Sequence, residues 1–174
     1  ATAIDLTKLP RIGVYAPWSG SMDEGWLRWS LDHFRVPFVT VRNEALRAGR
    51  LNELIDVLVI PNIATRSLDD GRAAGSAPHE LTGGLAPEGA LAIEAFVREG
   101  GKLVAWADAT PWVIDQFELP LADVTRETAA KGFLCPGSVL RGVVEDHPLT
   151  AGLPHDMAIF FDSGRAWHEI DRKS

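Results

Sequence analysis

The chain has 174 residues, a net charge of −7, 46% hydrophobic and 24% charged residues. That length suffices for one domain with a real core, and the acidic balance argues against a nucleic-acid partner or a basic membrane-surface role. No run approaches the roughly 20 apolar residues of a membrane span. Residues 1–8 lack the basic-then-apolar pattern of a signal peptide, and the single cysteine, Cys135, cannot close an internal disulfide.

Residues 11–15, Arg-Ile-Gly-Val-Tyr, read as a first strand. After a Pro- and Gly-containing turn at 16–20, Ser21 and Glu24 form the Ser-x-x-Glu box of a helix start. The helix is expected to run to about Phe34, with Leu27, Leu31 and Phe34 meeting a sheet. Met22, Trp26, Trp29 and His33 make a second stripe at helical spacing. It is read as a widening of the buried face, the alternative being an aromatic surface for a partner. Residues 36–42 predict a second strand, with Pro37 near an edge or strand start. Asn43 is placed as the cap of a short helix ending at Gly49. Residues 57–60 form a compact buried strand. Residues 63–87 are irregular, and a loop of that length is expected as an insertion over the carboxyl edge of the sheet. A helix follows over 87–99, with Leu91, Ile93, Ala95, Phe96 and Val97 as its apolar side.

The stretch 100–117 organises the rest. Gly100 and Gly101 close the preceding helix. Residues 102–107 read as a strand covered on both faces. Thr110 is the expected N-cap of the next helix and Pro111 its first residue. In open α/β sheets ligands and nucleophiles sit at the carboxyl end of such a strand. Here that position holds Ala107, Asp108 and Ala109, and no Cys, Ser or Thr stands there with a base to activate it. Residues 121–125 and 138–144 read as further strands, and 158–161 is expected to pair with 165–170, extending one edge of the sheet. The alternation of strand and helix predicts the α/β class, a mostly parallel sheet with helices on both faces.

Motifs for metal or phosphate chemistry are sparse. None of His33, His79, His147, His155 and His168 opens a His-Glu-x-x-His helix or has a Glu three residues later, so no metal site is expected in this chain. No Gly-x-Gly-x-x-Gly or Walker sequence is present, and residues 19–22 at a helix start are accounted for by Ser21 capping. The pairs Asp23/Glu24, Asp69/Asp70 and Glu145/Asp146 read as solvated faces. Cys135, before Pro136, reads as structural, since it does not stand between a buried strand and a helix. Trp18, Trp26, Trp29, Trp106 and Trp112, together with Ser21, are the residues placed on binding surfaces, burial in the core being the alternative for each tryptophan.

Four stretches, 11–29, 55–62, 96–105 and 136–141 with 146–153, resemble the class I glutamine amidotransferase-like domain at the carboxyl end of certain bacterial zinc carboxypeptidase-A-type metallopeptidases. The likeness covers most of 11–170. It implies a flavodoxin-like three-layer sandwich and a single domain over 1–174, with the last strand and helix of the family missing and its later His expected beyond residue 170. Active members carry a Cys in the elbow after the strand. The sequence 106–110, Trp-Ala-Asp-Ala-Thr, departs from that pattern, with a bulky Trp106 where a small residue is expected.

The resemblance therefore implies a non-catalytic accessory domain of a zinc carboxypeptidase. Its partner would be the preceding peptidase domain of the same polypeptide, and a homo-oligomer would be a further assembly. Zinc would belong to the parent domain and no cofactor to this chain, in a secreted or periplasmic setting. The rival reading is a small hydrolase or amidotransferase using Cys135 or Asp108, with His79 as its base.

Overall fold

The computed structural model describes residues 9–132, 135–162 and 164–170, and the chain forms two compact units, Ala1–Leu119 and Pro120–Ser174. The signal-peptide reading at residues 1–8 lies outside the described residues.

In the first unit, β1 (Ile12–Tyr15), β2 (Phe38–Val41), β3 (Val57–Ile60) and β4 (Lys102–Ala105) form one four-stranded parallel sheet in the order β2-β1-β3-β4. The register aligns Ile12 with Phe38 and with Val57, and Val57 with Lys102. The helices are α1 (Met22–His33), α2 (Asn43–Ala48), α3 (Leu51–Leu54), α4 (Thr65–Asp69), α5 (Ala86–Arg98) and α6 (Ala109–Gln116). Right-handed crossovers place α1, which leads outward to β2, on one face, and α2, α3 and α5, which lead the chain back across β1 and on to β4, on the other. The result is an α/β, flavodoxin-like three-layer sandwich. The central strands are apolar runs that bury Val14, Tyr15, Leu58 and Ile60 completely. Gly13 is small for a packing reason: a Cβ there would come within 2.8 Å of the Ile55 and Val41 side chains.

Several expectations are corrected. The stripe Met22, Trp26, Trp29 and His33 is exposed, not buried. Phe34 is 75% exposed and does not join Leu27 and Leu31 against the sheet. The reason is the helix's orientation: α1 turns the half-buried Leu27 and Leu31 and the buried Glu24 inward, which faces the opposite side of a 3.6-residue helix outward. On α5 the buried residues are Gly89, Ile93 and Phe96, whereas Leu91, Ala95 and Val97 are exposed. β4 is shorter than 102–107 and is an edge strand with Lys102 and Val104 exposed, so it is not covered on both faces. Helix α6 starts at Ala109 after Asp108; Thr110 is inside the first turn and its hydroxyl donates to the Ala107 carbonyl. Asn43 is the first residue of α2 rather than its cap.

Residues 63–87 are more ordered than a loop. They hold α4, a 3-10 turn at His79–Leu81 and a bridge between Arg72 and Gly83. Leu68 and Leu85 are fully buried. Gly71 has φ +61, and a Cβ there would collide with the Gly83 carbonyl, so only glycine suits this turn.

The second unit contains β5 (Leu121–Asp123), α7 (Val124–Ala130), β6 (Ser138–Val143), β7 (Asp156–Phe161) and β8 (Trp167–Glu169). β5 pairs antiparallel with β8, and β6 with β7, as two separate two-stranded sheets. Residues 165–170 thus pair with β5 rather than with 158–161, and the tail strands ladder among themselves instead of extending the parallel sheet. Helix α7 was not expected. Asp123 starts it, accepting from the Thr125 hydroxyl and, at 3.1 Å, from the Arg126 amide. Burial works to raise the Asp123 pKa, but these bonds and the Arg165 charge hold it below the ordinary value. No residue of this unit whose burial is described is buried.

Candidate functional site

The sheet order reverses between β1 and β3, since the chain leaves β1 towards β2 and leaves β3 towards β4. In doubly wound sheets the crevice at this switch point, outside the carboxyl ends of the strands, takes the ligand. Three segments meet there: 16–21 after β1, 61–63 after β3 and 106–109 after β4.

The segment after β4 is an elbow. Ala107 has φ +51, a left-handed backbone that a non-glycine residue adopts only under strain. A strand, one strained residue and a helix are the geometry that presents a nucleophile above a sheet, with the amide of the next residue as an oxyanion donor. The strained residue is Ala107, not Trp106, and its side chain is a methyl group without a nucleophilic atom. The following amide, that of Asp108, donates at 3.1 Å to the side-chain oxygen of Asn62. The donor an oxyanion would need is therefore already engaged.

Asn62 closes the crevice in two directions. Its Nδ2 donates at 3.0 Å to Asp23, and its carbonyl accepts at 3.2 Å from the Ser21 hydroxyl. Ser21 in turn caps α1 by accepting from the Glu24 amide, while the Glu24 carboxylate lies 3.5 Å from Arg28. One carboxamide thus ties the segment after β3 to the start of α1 and to the elbow. Sequence reasoning missed Asn62. The signal was its place, two residues beyond a buried strand at the reversal of the sheet.

Trp18, Arg42, Tyr15 and Asn43, near this crevice, are partnered too. Trp18 donates from Nε1 to Glu44 at 3.0 Å, and the Arg42 guanidinium lies 4.2 Å from the centroid of its ring. Arg42 also donates to the carbonyls of Ala16 and Pro17. The Tyr15 hydroxyl donates at 2.7 Å to Asn43, which donates at 2.8 Å to the Gly83 carbonyl. Burial pushes the Tyr15 pKa well above its ordinary value, Glu44 adding to the rise against the opposing charges of Arg47 and Arg42. Among the described residues no buried side-chain polar atom lacks a partner.

The remaining candidates fall in different places. Trp112 is buried in the core and donates from Nε1 to Asp69 at 2.6 Å, pinning α6 to α4. Trp106 and Asp108 are half-buried at the elbow. His79 is exposed on the 3-10 turn. Cys135 is half-buried in the second unit. Trp26 and Trp29 lie on the outer face of α1, 60% and 57% exposed. Among the described residues no three His, Cys, Asp or Glu side chains gather into a group that could hold a metal ion, and no helix is long and apolar enough to cross a membrane.

No protein-family model, curated protein or solved structure matches the chain. The class that fold and site define is an α/β domain of flavodoxin-like architecture, with a strained elbow at the carboxyl end of its fourth strand and an alanine at the apex.

Proposed function

We propose that this chain is a non-catalytic accessory domain, of glutamine amidotransferase-like architecture, serving a catalytic partner. The partner implied by the sequence resemblance is a preceding zinc carboxypeptidase domain in the same polypeptide. Under this reading zinc belongs to that domain, and the secreted or periplasmic setting belongs to the parent protein. The observation that carries the reading is the elbow, where a methyl group stands in the nucleophile's position and Asn62 occupies the neighbouring amide donor. An enzyme of this architecture needs both groups free to act.

The test is made on the isolated chain. It is expected to hydrolyse neither glutamine nor peptides, to bind zinc at well below one equivalent by elemental analysis, and to react with a thiol probe through Cys135 no faster than an ordinary thiol does. Selective labelling of Cys135 at neutral pH, or turnover abolished by Asp108→Asn or His79→Ala, would instead establish the hydrolase reading. The coding sequence upstream of Ala1 is expected to carry His-x-x-Glu followed by a distant His, the zinc ligands of the partner.

A further inference from the structure

The outer face of α1 carries Met22, Trp26, Trp29 and His33, at spacings of four, three and four. This is a seam of period 3.5, the repeat by which one helix packs along another. At 3.6 residues per turn the four side chains fall within an arc of roughly 60°, directed away from Leu27 and Leu31. Met22 is 79% exposed and Phe34, beside the seam, 75%. Aromatic side chains bury about 150–250 Å² each, so Trp26, Trp29 and Phe34 alone leave on the order of 300–500 Å² of apolar area in water. That reaches the largest patch of a typical monomer and would form the apolar centre of a standard interface, which takes about 800 Å² per partner.

The rings are already arranged. Trp26 and Trp29 meet edge to face at 5.9 Å, Trp29 stacks on His33 at 5.1 Å, and His33 meets Phe34 at 5.1 Å. Each ring restricts the next, so little side-chain freedom is left to be lost on association. Gly25, exposed beside the seam with open space where a Cβ would stand, allows a second backbone to approach.

We propose that this face is the interface of a symmetric dimer, in which α1 of one copy packs antiparallel on α1 of a second. The reason for a second copy is self-complementarity. The order four-three-four reads the same from either end, so reversing the helix sets Met22 against His33 and Trp26 against Trp29 of the other copy. Beside the seam Asp23 stands at the amino end and Asp32 and Arg35 offset each other at the carboxyl end, and the antiparallel pairing opposes the helix dipoles. Parallel pairing would set like ends side by side. This interface lies apart from the elbow and goes beyond the accessory role proposed above.

Sedimentation velocity on the chain as it stands tests the proposal. A concentration-dependent dimer is expected. Trp29→Glu is expected to weaken it about 30-fold or more, the loss of a central aromatic anchor. At concentrations where both chains are monomeric its melting temperature should remain that of the unsubstituted chain, because Trp29 supports no core. Met22→Lys and His33→Glu, at positions that the antiparallel pairing sets against each other, are each expected to weaken the dimer, and together to restore it. A chain that stays monomeric at about 100 μM, or a dimer indifferent to Trp29→Glu, would overturn the interface. Failure of the charge pair to restore association would overturn the antiparallel arrangement, and capture of this face by the upstream peptidase domain would replace the second copy as its occupant. Each of these results leaves the non-catalytic reading intact, since hydrolysis and thiol labelling report on the elbow alone.

Discussion

The carboxyl edge of the parallel sheet and the outer face of α1 share a junction at Ser21, yet they are finished in opposite ways. At the sheet edge, where architecture favours a ligand, the chain has filled its own crevice: Asn62 spans Asp23, Ser21 and the elbow, and Trp112 is sunk against Asp69. On and beside α1 four large side chains, Met22, Trp26, Trp29 and Phe34, remain largely in water, with Trp26 edge to face on Trp29 and His33 between Trp29 and Phe34. Polar groups taken out of water are costly without partners, so a vacated site tends to be closed by hydrogen bonds. An apolar face cannot be satisfied by hydrogen bonds, so its unfavourable exposure to water lasts until another surface covers it. The difference teaches that this domain satisfies the polar groups at its sheet edge from within the chain and leaves the apolar side chains of one helix face uncovered.

Three perturbations probe that contrast, in decreasing order of effect. Trp112→Ala removes a buried ring packed edge to face on Phe117 at 6.3 Å and takes the donor from Asp69. A loss of about 3–5 kcal/mol in urea unfolding is expected, and a loss below about 1 kcal/mol would show that the cover over the sheet edge is loose. Asn62→Ala leaves the Asp108 amide without its acceptor and Asp23 without its donor. It is expected to cost about 1–3 kcal/mol and to speed hydrogen exchange at the Asp108 amide. Unchanged exchange would mean that Asn62 does not close the oxyanion position.

The smallest effect is at the opposite edge of the sheet. Arg11 donates to Asp56 from its side chain and its backbone and holds the carboxyl down at about 2, against an ordinary 3.8. A depressed carboxylate contributes stability that is complete above about pH 4 and is lost as the pH falls through 2. Melting temperatures recorded between those limits should fall less steeply for Asp56→Asn than for the parent chain. An equal fall in both would remove the pair from the account of acid stability.

Much of the fold was legible. The apolar run 57–60 is β3 to the residue, and the Ser21 box does start α1, because a cap and a short buried strand are local features that the sequence writes out directly. The long segment 63–87 was not legible as α4 and a bridge, since its order comes from Leu68 and Leu85 entering a core assembled by distant strands. The pairing of 165–170 with β5 was not legible, because antiparallel partners are chosen by register and closure rather than by the composition of either strand. At the site, the elbow residues Ala107, Asp108 and Ala109 could be read from the sequence. Asn62 could not, as its partners lie 39 and 46 residues away in sequence.

By itself the sequence determined the alternation of strands and helices over 11–117, the Ser21 cap, and which residues stand at the elbow. These follow from short-range periodicity and from residue chemistry that no packing alters. Only the tertiary structure decided that Ala107 takes the strained apex, that Asn62 fills the donor position beside it, and that α1 turns Trp26 and Trp29 outward. A helix with two apolar stripes has the same pattern whichever stripe is buried, and the choice is made by the surface it packs on.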